Sequence, residues 1–281
     1  MAMGRETGYR FSVRKPVATS CVFRAKTCDL RVISIIMEHA DNIYASERVL
    51  EPFAFNREVV QVFPDMIDRS IPGYSLTLPL IGLMAARYVQ AGSNVYDLGC
   101  SLGAATLAMR HGIAKAHGDF SCQLVGIDNS MAMIERCRAL IAADDAPIPV
   151  EIVEGDLETA VIENASIVVL NFTLQFVPPE RRDGVMSRIY EGLRPGGILI
   201  LSEKVVFAEP EKHERFIDIH HDFKRYNGYS DLEVAQKRNA LENVMIPETI
   251  ERNRERILGA GFGTCELWFQ AVNFMSLLAI K

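Results

Sequence analysis

Residues 95–103 place the strictest limits on how this chain can fold. Residues 95–98 are a short, mostly apolar run with β-branched and aromatic members, which predicts a strand buried on both faces. Gly99 follows at once, and we expect it to permit an unusual backbone conformation and the close approach of a ligand. Gly103 precedes residues 104–109, a strong helix-forming sequence. The segment therefore predicts a strand, a tight turn and a helix.

Strand-like and helix-like segments alternate through the rest of the chain. Such β–α alternation predicts a parallel sheet with helices on both faces. The last two strands are expected to form an antiparallel hairpin, so the predicted fold is α/β with a mostly parallel, seven-stranded sheet. The strands are predicted at residues 95–98, 122–127, 150–153, 167–170, 198–203, 264–269 and 272–280.

Two helical regions lie outside this alternation. Residues 56–89 precede the first strand; Asn56 is a good N-cap for a helix that Pro64 is expected to stop, and Ser75 can cap the next helix. Because these helices precede the first strand, we expect them to fold over the ligand-binding edge of the sheet as a lid. Residues 209–258 are polar and helical and are interpreted as inserted helices after the fifth strand.

The first 36 residues differ from the rest of the chain. They contain seven Arg and Lys against two acidic residues. Such a start can be an organellar targeting segment. Our interpretation is an N-terminal extension that is disordered or lies upstream of the functional start at Met37. Residues 37–281 are predicted to form a single domain.

Composition excludes several classes of protein. The net charge of −6 argues against a general electrostatic binder of nucleic acid. The six cysteines include no Cys-x-x-Cys pair, which predicts reduced thiols in a cytoplasmic protein and no metal site. The longest apolar runs are far shorter than a membrane span.

Polar side chains stand at the ends of four successive predicted strands, where ligands bind in open α/β sheets. Asp97 suits a cationic group, and Asp128 can accept hydrogen bonds from both hydroxyls of a ribose. Asp156, with the backbone of Leu157, can contact the edge of an adenine. Asn171 can contact an amino-acid moiety. Together these residues are typical of a site for an adenosine derivative.

The glycine pattern narrows the ligand further. Asp-x-Gly-x-x-x-Gly between a strand and a helix is typical of S-adenosylmethionine (SAM)-dependent methyltransferases. Dinucleotide-binding domains instead carry Gly-x-Gly-x-x-Gly, which receives a pyrophosphate. SAM has no phosphate, so its turn needs only backbone room and an acidic neighbour. We therefore predict a Rossmann-like SAM-methyltransferase fold that binds SAM.

The residues alone do not identify the reaction, and no catalytic residue is predicted. No Cys–His nucleophilic centre stands out. His220 and His221 are candidate bases, but adjacent residues on a helix point in different directions, so at most one should face the site. An arginine directed into a SAM site would imply an anionic partner. The late cations, most of which we interpret as a solvated face, are Lys204, Lys224, Arg225, Lys237 and Arg238.

Several long blocks of the sequence carry a more specific resemblance. The blocks are residues 59–67, 70–75, 95–106, 127–138, 168–176, 220–230, 236–238 and 241–245. They closely resemble the carboxy-S-adenosyl-L-methionine (carboxy-SAM) synthases of bacteria. The resemblance runs from about Phe53 to the C-terminus and includes the inserted helices, whereas the first 36 residues have no counterpart.

The resemblance implies conversion of SAM and prephenate to carboxy-SAM and phenylpyruvate, which another enzyme uses to build 5-oxyacetyl groups on the wobble uridine of tRNA. It implies a homodimer that binds small molecules; the composition adds the expectation of no direct contact to nucleic acid or membrane. It also implies that Arg238 pairs with the new carboxylate. The alternatives are an ordinary methyltransferase of a small molecule or RNA, and a SAM-binding regulator without turnover. The residues that resemble the family's ligand contacts are Tyr74, Gly99, Cys100, Ser101, Asp128, Asn129, Asp156, Leu157, Asn171 and Arg238.

Overall fold

A seven-stranded sheet lies at the centre of the computed structural model, which describes residues 39–47 and 51–281. The predicted extension, residues 1–36, falls outside the described residues. The strands are β1 (Ser93–Leu98), β2 (Cys122–Asp128), β3 (Val150–Glu154), β4 (Ala165–Asn171), β5 (Leu193–Lys204), β6 (Thr264–Ala271) and β7 (Phe274–Ile280). The helices are α1 (Arg57–Asp68), α2 (Tyr74–Tyr88), α3 (Ala104–His117), α4 (Met131–Ala143), α5 (Pro179–Gly192), α6 (Pro210–Tyr226), α7 (Asp231–Leu241) and α8 (Ile250–Gly259), with a short 3₁₀ turn at Leu174–Phe176.

The strands lie in the order β3-β2-β1-β4-β5-β7-β6. The first five strands pair in parallel, and β7 pairs antiparallel with both β5 and β6. The predicted mostly parallel sheet with a closing antiparallel hairpin is therefore confirmed. The chain order reverses between β1 and β4, which makes the carboxyl ends of these two strands the place where a ligand is expected.

Two apolar clusters cover the two faces of the sheet. Side chains alternate along β4, so Val168 and Leu170 join the cluster beneath α5 and α8, whereas Ile167 and Val169 join the cluster beneath α2 and α3. All four side chains are fully buried. The core thus explains why β4 reads as a continuous apolar run that ends abruptly at a polar residue.

The structure differs from the expected lid at α2. This helix begins after Gly73, whose φ of +80° makes it the N-cap in place of Ser75. It packs tightly against α3: a Cβ on Gly112 would overlap the carbonyl oxygen of Gly82 and lie 2.5 Å from its carbonyl carbon. Ile81 is completely buried in the same layer. Helix α2 therefore packs in the core through residues such as Ile81 and Ala85.

Helix α1 does lie across the ligand edge. The Asn56 side chain caps it, accepting a hydrogen bond from the Val59 amide at 3.0 Å. The helix continues through Pro64, which was expected to stop it, because the buried residues on both sides pack into one cluster and offset the lost backbone hydrogen bond. That cluster includes Leu102, from the loop after β1, and Met133 of α4.

The region interpreted as inserted helices forms α6, α7 and α8. A break at Gly228, where φ is +90°, separates α6 from α7. Ser230 then begins α7 with a capping box in which Glu233 takes part. Residues 37–281 form one compact unit. Both α6 and α7 carry cations that had been singled out in the sequence.

Candidate active site

Two buried acceptor oxygens at the switch point have no donor among the described residues. Asp97, at the end of β1, is 1% exposed; its Oδ2 accepts a hydrogen bond from Thr106 Oγ1 at 2.5 Å, whereas its Oδ1 has no partner. Asn171, at the end of the neighbouring β4, also has a buried Oδ1 without a partner. Buried acceptors are nearly always hydrogen-bonded in folded proteins. The pair therefore fits a ligand that supplies donors, such as an ammonium group.

The electrostatics of Asp97 favour a cation at the same point. Burial raises the pKa of Asp97 to about 6, the hydrogen bond from Thr106 lowers it, and the charge of Asp128 raises it. A positive group near the free Oδ1 would stabilise the carboxylate. SAM has an ammonium and a sulfonium charge, so the residues present fit it.

The two glycines of the turn after β1 stand where a side chain would overlap different neighbours. Gly99 adopts a φ of +76°, and a Cβ there would lie 2.5 Å from Thr173 Oγ1. A side chain at Gly99 would therefore overlap Thr173, and the predicted contact of the Gly99 backbone with a ligand stays a prediction. Gly103 adopts a φ of +84° as the N-cap of α3, and a Cβ there would lie 2.8 Å from Cys137 Sγ. Both glycines are required by the packing of the turn.

Asp128 lies beside this turn at the end of β2. Its two oxygens accept hydrogen bonds from the Ser101 amide at 2.9 Å and the Ser130 amide at 2.8 Å. Burial raises its pKa above the usual value. Each carboxylate oxygen keeps a second lone pair, so the carboxylate can still accept hydrogen bonds from two ribose hydroxyls. Cys100 is buried with its thiol hydrogen-bonded to Cys137, which together with burial raises its pKa, so only its backbone is available to a ligand.

Three residues predicted to contact the nucleoside ligand lie at the outer side of the site. Asn129 and Asp156 are exposed, and Asp156 Oδ1 accepts a hydrogen bond from the Glu158 amide at 2.8 Å. Leu157 is half-buried against the main core. These three residues follow β2 and β3, on the other side of β1 from Asn171. The contact of Asp156 and Leu157 with adenine stays a prediction, as does the contact of Asn129 with the nucleoside.

A row of aromatic side chains runs from Tyr74 to His220. The ring centroids of Tyr74 and Phe172 are 6.1 Å apart, and those of Phe172 and Phe274 are 5.9 Å apart. His220 packs edge-on against Phe274 at 5.0 Å. Burial, and then the charge of Asp97, raise the pKa of Tyr74. The row therefore connects the SAM half of the site to α6.

The structure separates the five late cations by their partners. Arg225 is exposed and binds two aspartates, so it belongs to the solvated surface. Lys237 is buried; its Nζ donates to Ser70 Oγ at 3.0 Å and lies 3.5 Å from Asp41 Oδ2. Neither side chain is available to an added anion.

The other three cations, Lys204, Lys224 and Arg238, have side chains without a hydrogen-bond or ion-pair partner in the described part of the chain. Burial and the charge of Arg238 lower the pKa of Lys204 to about 8. Burial, Lys237 and Lys204 lower the pKa of Lys224 to about 7. Arg238 is exposed on α7. The three groups therefore form a cationic cluster that extends from the interior to the surface.

The two candidate bases have different surroundings. His220 is buried, and its Nε2 lies 2.9 Å from the carbonyl oxygen of Ser70, which can only accept, so this nitrogen has the hydrogen. Burial and then the neighbouring lysines lower the pKa of His220, which keeps it neutral. His221 is half-buried; burial and then the charges of Lys224 and Arg238 lower its pKa. Both histidines therefore lie near the unpaired lysines, and the charge of Arg238 acts on His221 as well.

Sequence reasoning missed the role of Glu203. This buried residue accepts hydrogen bonds from the amides of Leu174 and Gln175, at 2.8 and 2.9 Å, and so holds the turn after Asn171. Burial raises its pKa to about 8. The signal in the sequence was an acid at the end of the apolar run of β5, directly before Lys204. No group of three His, Cys, Asp or Glu side chains that could hold a metal ion occurs within residues 39–47 and 51–281.

Comparison with known proteins gives the family. Residues 95–197 match a methyltransferase domain family. The chain is 56% identical over 243 residues to the carboxy-S-adenosyl-L-methionine synthase of Citrifermentans bemidjiense, covering 86% of this chain and 98% of that protein. It is 59% identical over 230 residues to the synthase of Trichlorobacter lovleyi, covering 82% and 93%. The chain belongs to the carboxy-S-adenosyl-L-methionine synthase family.

Solved structures support the fold of this synthase family member. A putative O-methyltransferase from Nostoc punctiforme superposes with a TM-score of 0.52 at 14% identity, covering 74% of this chain and 57% of that chain. At that identity the likeness shows the SAM-methyltransferase fold alone. In the part of the chain that the structure describes, no helix is long and apolar enough to cross a membrane.

Proposed function

We propose that this protein converts SAM and prephenate to carboxy-SAM and phenylpyruvate. One methyl hydrogen of SAM is replaced by the carboxyl group that prephenate loses, and the proton leaves as water with the hydroxyl group of prephenate. The observation that carries the proposal is the 56% identity to a carboxy-SAM synthase over 98% of that relative's length. This range includes β5, α6 and α7, which carry the three members of the cationic cluster.

The polarity of the site supports the same reaction. The Oδ1 atoms of Asp97 and Asn171, which lack hydrogen-bond donors in the described residues, suit the cationic substrate SAM. The cationic cluster suits the anionic substrate. We assign Arg238 as the anchor for the transferred carboxylate, since a guanidinium can bind a carboxylate through two hydrogen bonds. Its charge lowers the pKa of Lys204 and of His221, which supports a position in the cationic cluster. The protein would act by binding, orientation and exclusion of water, without a dedicated base.

The setting of the reaction is part of the proposal. Carboxy-SAM would supply another enzyme that builds the 5-oxyacetyl group of the tRNA wobble uridine, in the cytoplasm. We also propose a homodimer. Leu76 and Leu83 lie on one face of α2 and are 58% and 65% exposed, which supports an apolar contact surface on this helix. Light scattering of the purified protein, compared with that of Leu83→Glu, tests the dimer.

Mass spectrometry of the released nucleoside tests the function. The purified protein is incubated with SAM and prephenate labelled with carbon-13 in the ring carboxyl group, and is then denatured. We expect a nucleoside with a labelled carboxyl group in place of one methyl hydrogen of SAM. The incubation without prephenate is the control and should yield no labelled product. SAM that stays unmodified with prephenate would return this protein to the ordinary methyltransferases.

A further inference from the structure

Two lysines of the cationic cluster have no counterion within residues 39–47 and 51–281. Lys224 is 6% exposed, and Lys204 is half-buried at the end of β5. An ammonium group removed from water without a partner costs several kcal/mol, so such groups are rare unless a ligand completes them. The acid whose charge raises the pKa of Lys224 is Asp41. The Oδ2 atom of Asp41, however, already lies beside Lys237 Nζ and accepts a hydrogen bond from the Tyr229 hydroxyl.

The position of these lysines points to the reaction site. Lys204 ends β5, the strand beside β4, whose own end is Asn171. Lys224 lies on α6 one turn after His220, which packs on the ring of Phe274. Both lysines therefore stand at the same edge of the sheet as the SAM half of the site. The charge of Arg238 lowers the pKa of Lys204, and Arg238 itself is exposed, so the cluster includes one group on the surface.

We propose that Lys204 and Lys224 bind the carboxylates of the carboxyl donor, a small dicarboxylate with an apolar ring. The inference rests on the proposed function, under which this donor is prephenate. Two ammonium groups match the two negative charges of the donor. The neighbouring rings of Phe172 and Phe274 suit its apolar part. Arg238 is left for the carboxylate of the product.

A purely structural role would give a different pattern of contacts. Lys237, the third buried lysine, is fixed by a hydroxyl and a carboxylate, as a structural lysine is expected to be. Lys204 and Lys224 have no such contacts in the described residues, and their like charges oppose one another. Replacing either by an apolar side chain of similar length therefore relieves repulsion in the free protein, while it removes a contact to the donor.

The variants Lys204→Met and Lys224→Met test the inference through steady-state kinetics. We expect the KM for prephenate to rise at least about tenfold in each, because a charge-assisted hydrogen bond is lost. The Kd for SAM, measured by calorimetry, should stay within about twofold, and the melting temperature should not fall below that of wild type. Lys224→Arg should recover part of the prephenate affinity. Lys212→Met, the same change three turns earlier on α6, is the matched control and should leave the KM unchanged.

The pH dependence of the KM for prephenate is a second measurement, and a purely structural role of Lys224 would not affect it. Because the pKa of Lys224 is lowered to about 7, its ammonium is present below pH 7 and is lost as the pH rises through that value. We expect the KM of wild type for prephenate to rise between pH 6 and pH 8.5, and this dependence to be weaker in Lys224→Arg. The charged and titratable groups that face Lys224 are Lys204 on β5, Lys237 on α7, Asp41 in the segment before α1, and His220 and His221 on α6.

The outcomes separate this inference from the proposed function. If wild type forms carboxy-SAM while both methionine variants keep the prephenate KM within twofold, the inference is overturned and the function stands. If wild type forms no carboxy-SAM, the function fails, and calorimetry with prephenate alone decides the inference. Binding that is lost in Lys224→Met would then still support the anion site, and binding that persists would overturn it.

Discussion

Replacing Asp97 by asparagine is predicted to stabilise the ligand-free protein and to weaken SAM binding. Asparagine has the same shape, keeps an oxygen for the Thr106 hydroxyl, and carries no charge. The wild-type carboxylate is buried with one oxygen unpartnered in the described structure. Its ionisation therefore costs free energy of folding, and only a bound cation offsets that cost.

The size of the effect follows from the pKa. Burial raises the pKa of Asp97 from 3.8 to about 6, and each unit corresponds to about 1.4 kcal/mol. The carboxylate thus destabilises the ligand-free fold by about 3 kcal/mol above pH 6, or roughly 5–10 °C in melting temperature for a domain of this size. Because the folded pKa is raised, protonation stabilises the fold at low pH, and this contribution is lost as the pH rises from 4 through 6. The variant should melt higher than wild type at pH 8 and match it at pH 4.

Thermal melts and calorimetry provide the assay. At pH 8 we expect Asp97→Asn to bind SAM roughly 10- to 100-fold more weakly, since a charge-assisted hydrogen bond is lost. Saturating SAM should therefore raise the melting temperature of wild type more than that of the variant. Asp119→Asn, an exposed aspartate, is the control and should change neither quantity. Equal melting temperatures of wild type and Asp97→Asn without ligand at pH 8 would refute the reasoning.

Three further changes test other parts of the structure. Arg238→Ala should abolish the preference for carboxy-SAM over SAM in calorimetry, and equal affinities of wild type for the two ligands would contradict this anchor. Gly112→Ala should lower the free energy of unfolding by about 3 kcal/mol or more, since its Cβ would lie 2.5 Å from the carbonyl carbon of Gly82. Gly259→Ala, with no atom within 4 Å, should change it by less than about 0.5 kcal/mol in the same denaturant titration, and a similar loss in both variants would disprove the packing argument. Arg182→Met removes a buried guanidinium that donates hydrogen bonds to backbone carbonyl oxygens and pairs with Glu248, and should cost about 3 kcal/mol, which an unchanged denaturation midpoint would exclude.

The strand ends of the site could be predicted from the sequence because their signal is local. A buried parallel strand is a continuous apolar run, so the first polar residue after it marks the carboxyl edge of the sheet. That reasoning located Asp97, Asp128 and Asn171, all of which the structure places at strand ends. The apolar run of β4 predicted in the same way that this strand is buried and ends at Asn171.

The partners of the cations could not be predicted, because they depend on distant segments. Arg225 and Arg238 look alike in the sequence, yet one is neutralised by two aspartates and the other has no partner in the described residues. Lys237 is paired through Asp41, nearly 200 residues away. The core position of α2 depends in the same way on Gly112, which lies in a different helix.

The close contact between Gly82 and Gly112 also determines which side of the candidate active site can move. Two helix backbones in direct contact slide or separate only at the cost of the whole apolar layer beneath them, so the α2–α3 side is a fixed frame. The opposite wall, built from the segment before α1 and from α7, is joined by polar contacts such as that of Asp41 with Lys237. Water can replace contacts of that kind during local opening. We therefore expect local opening to begin in the polar wall, while the α2–α3 side keeps its shape.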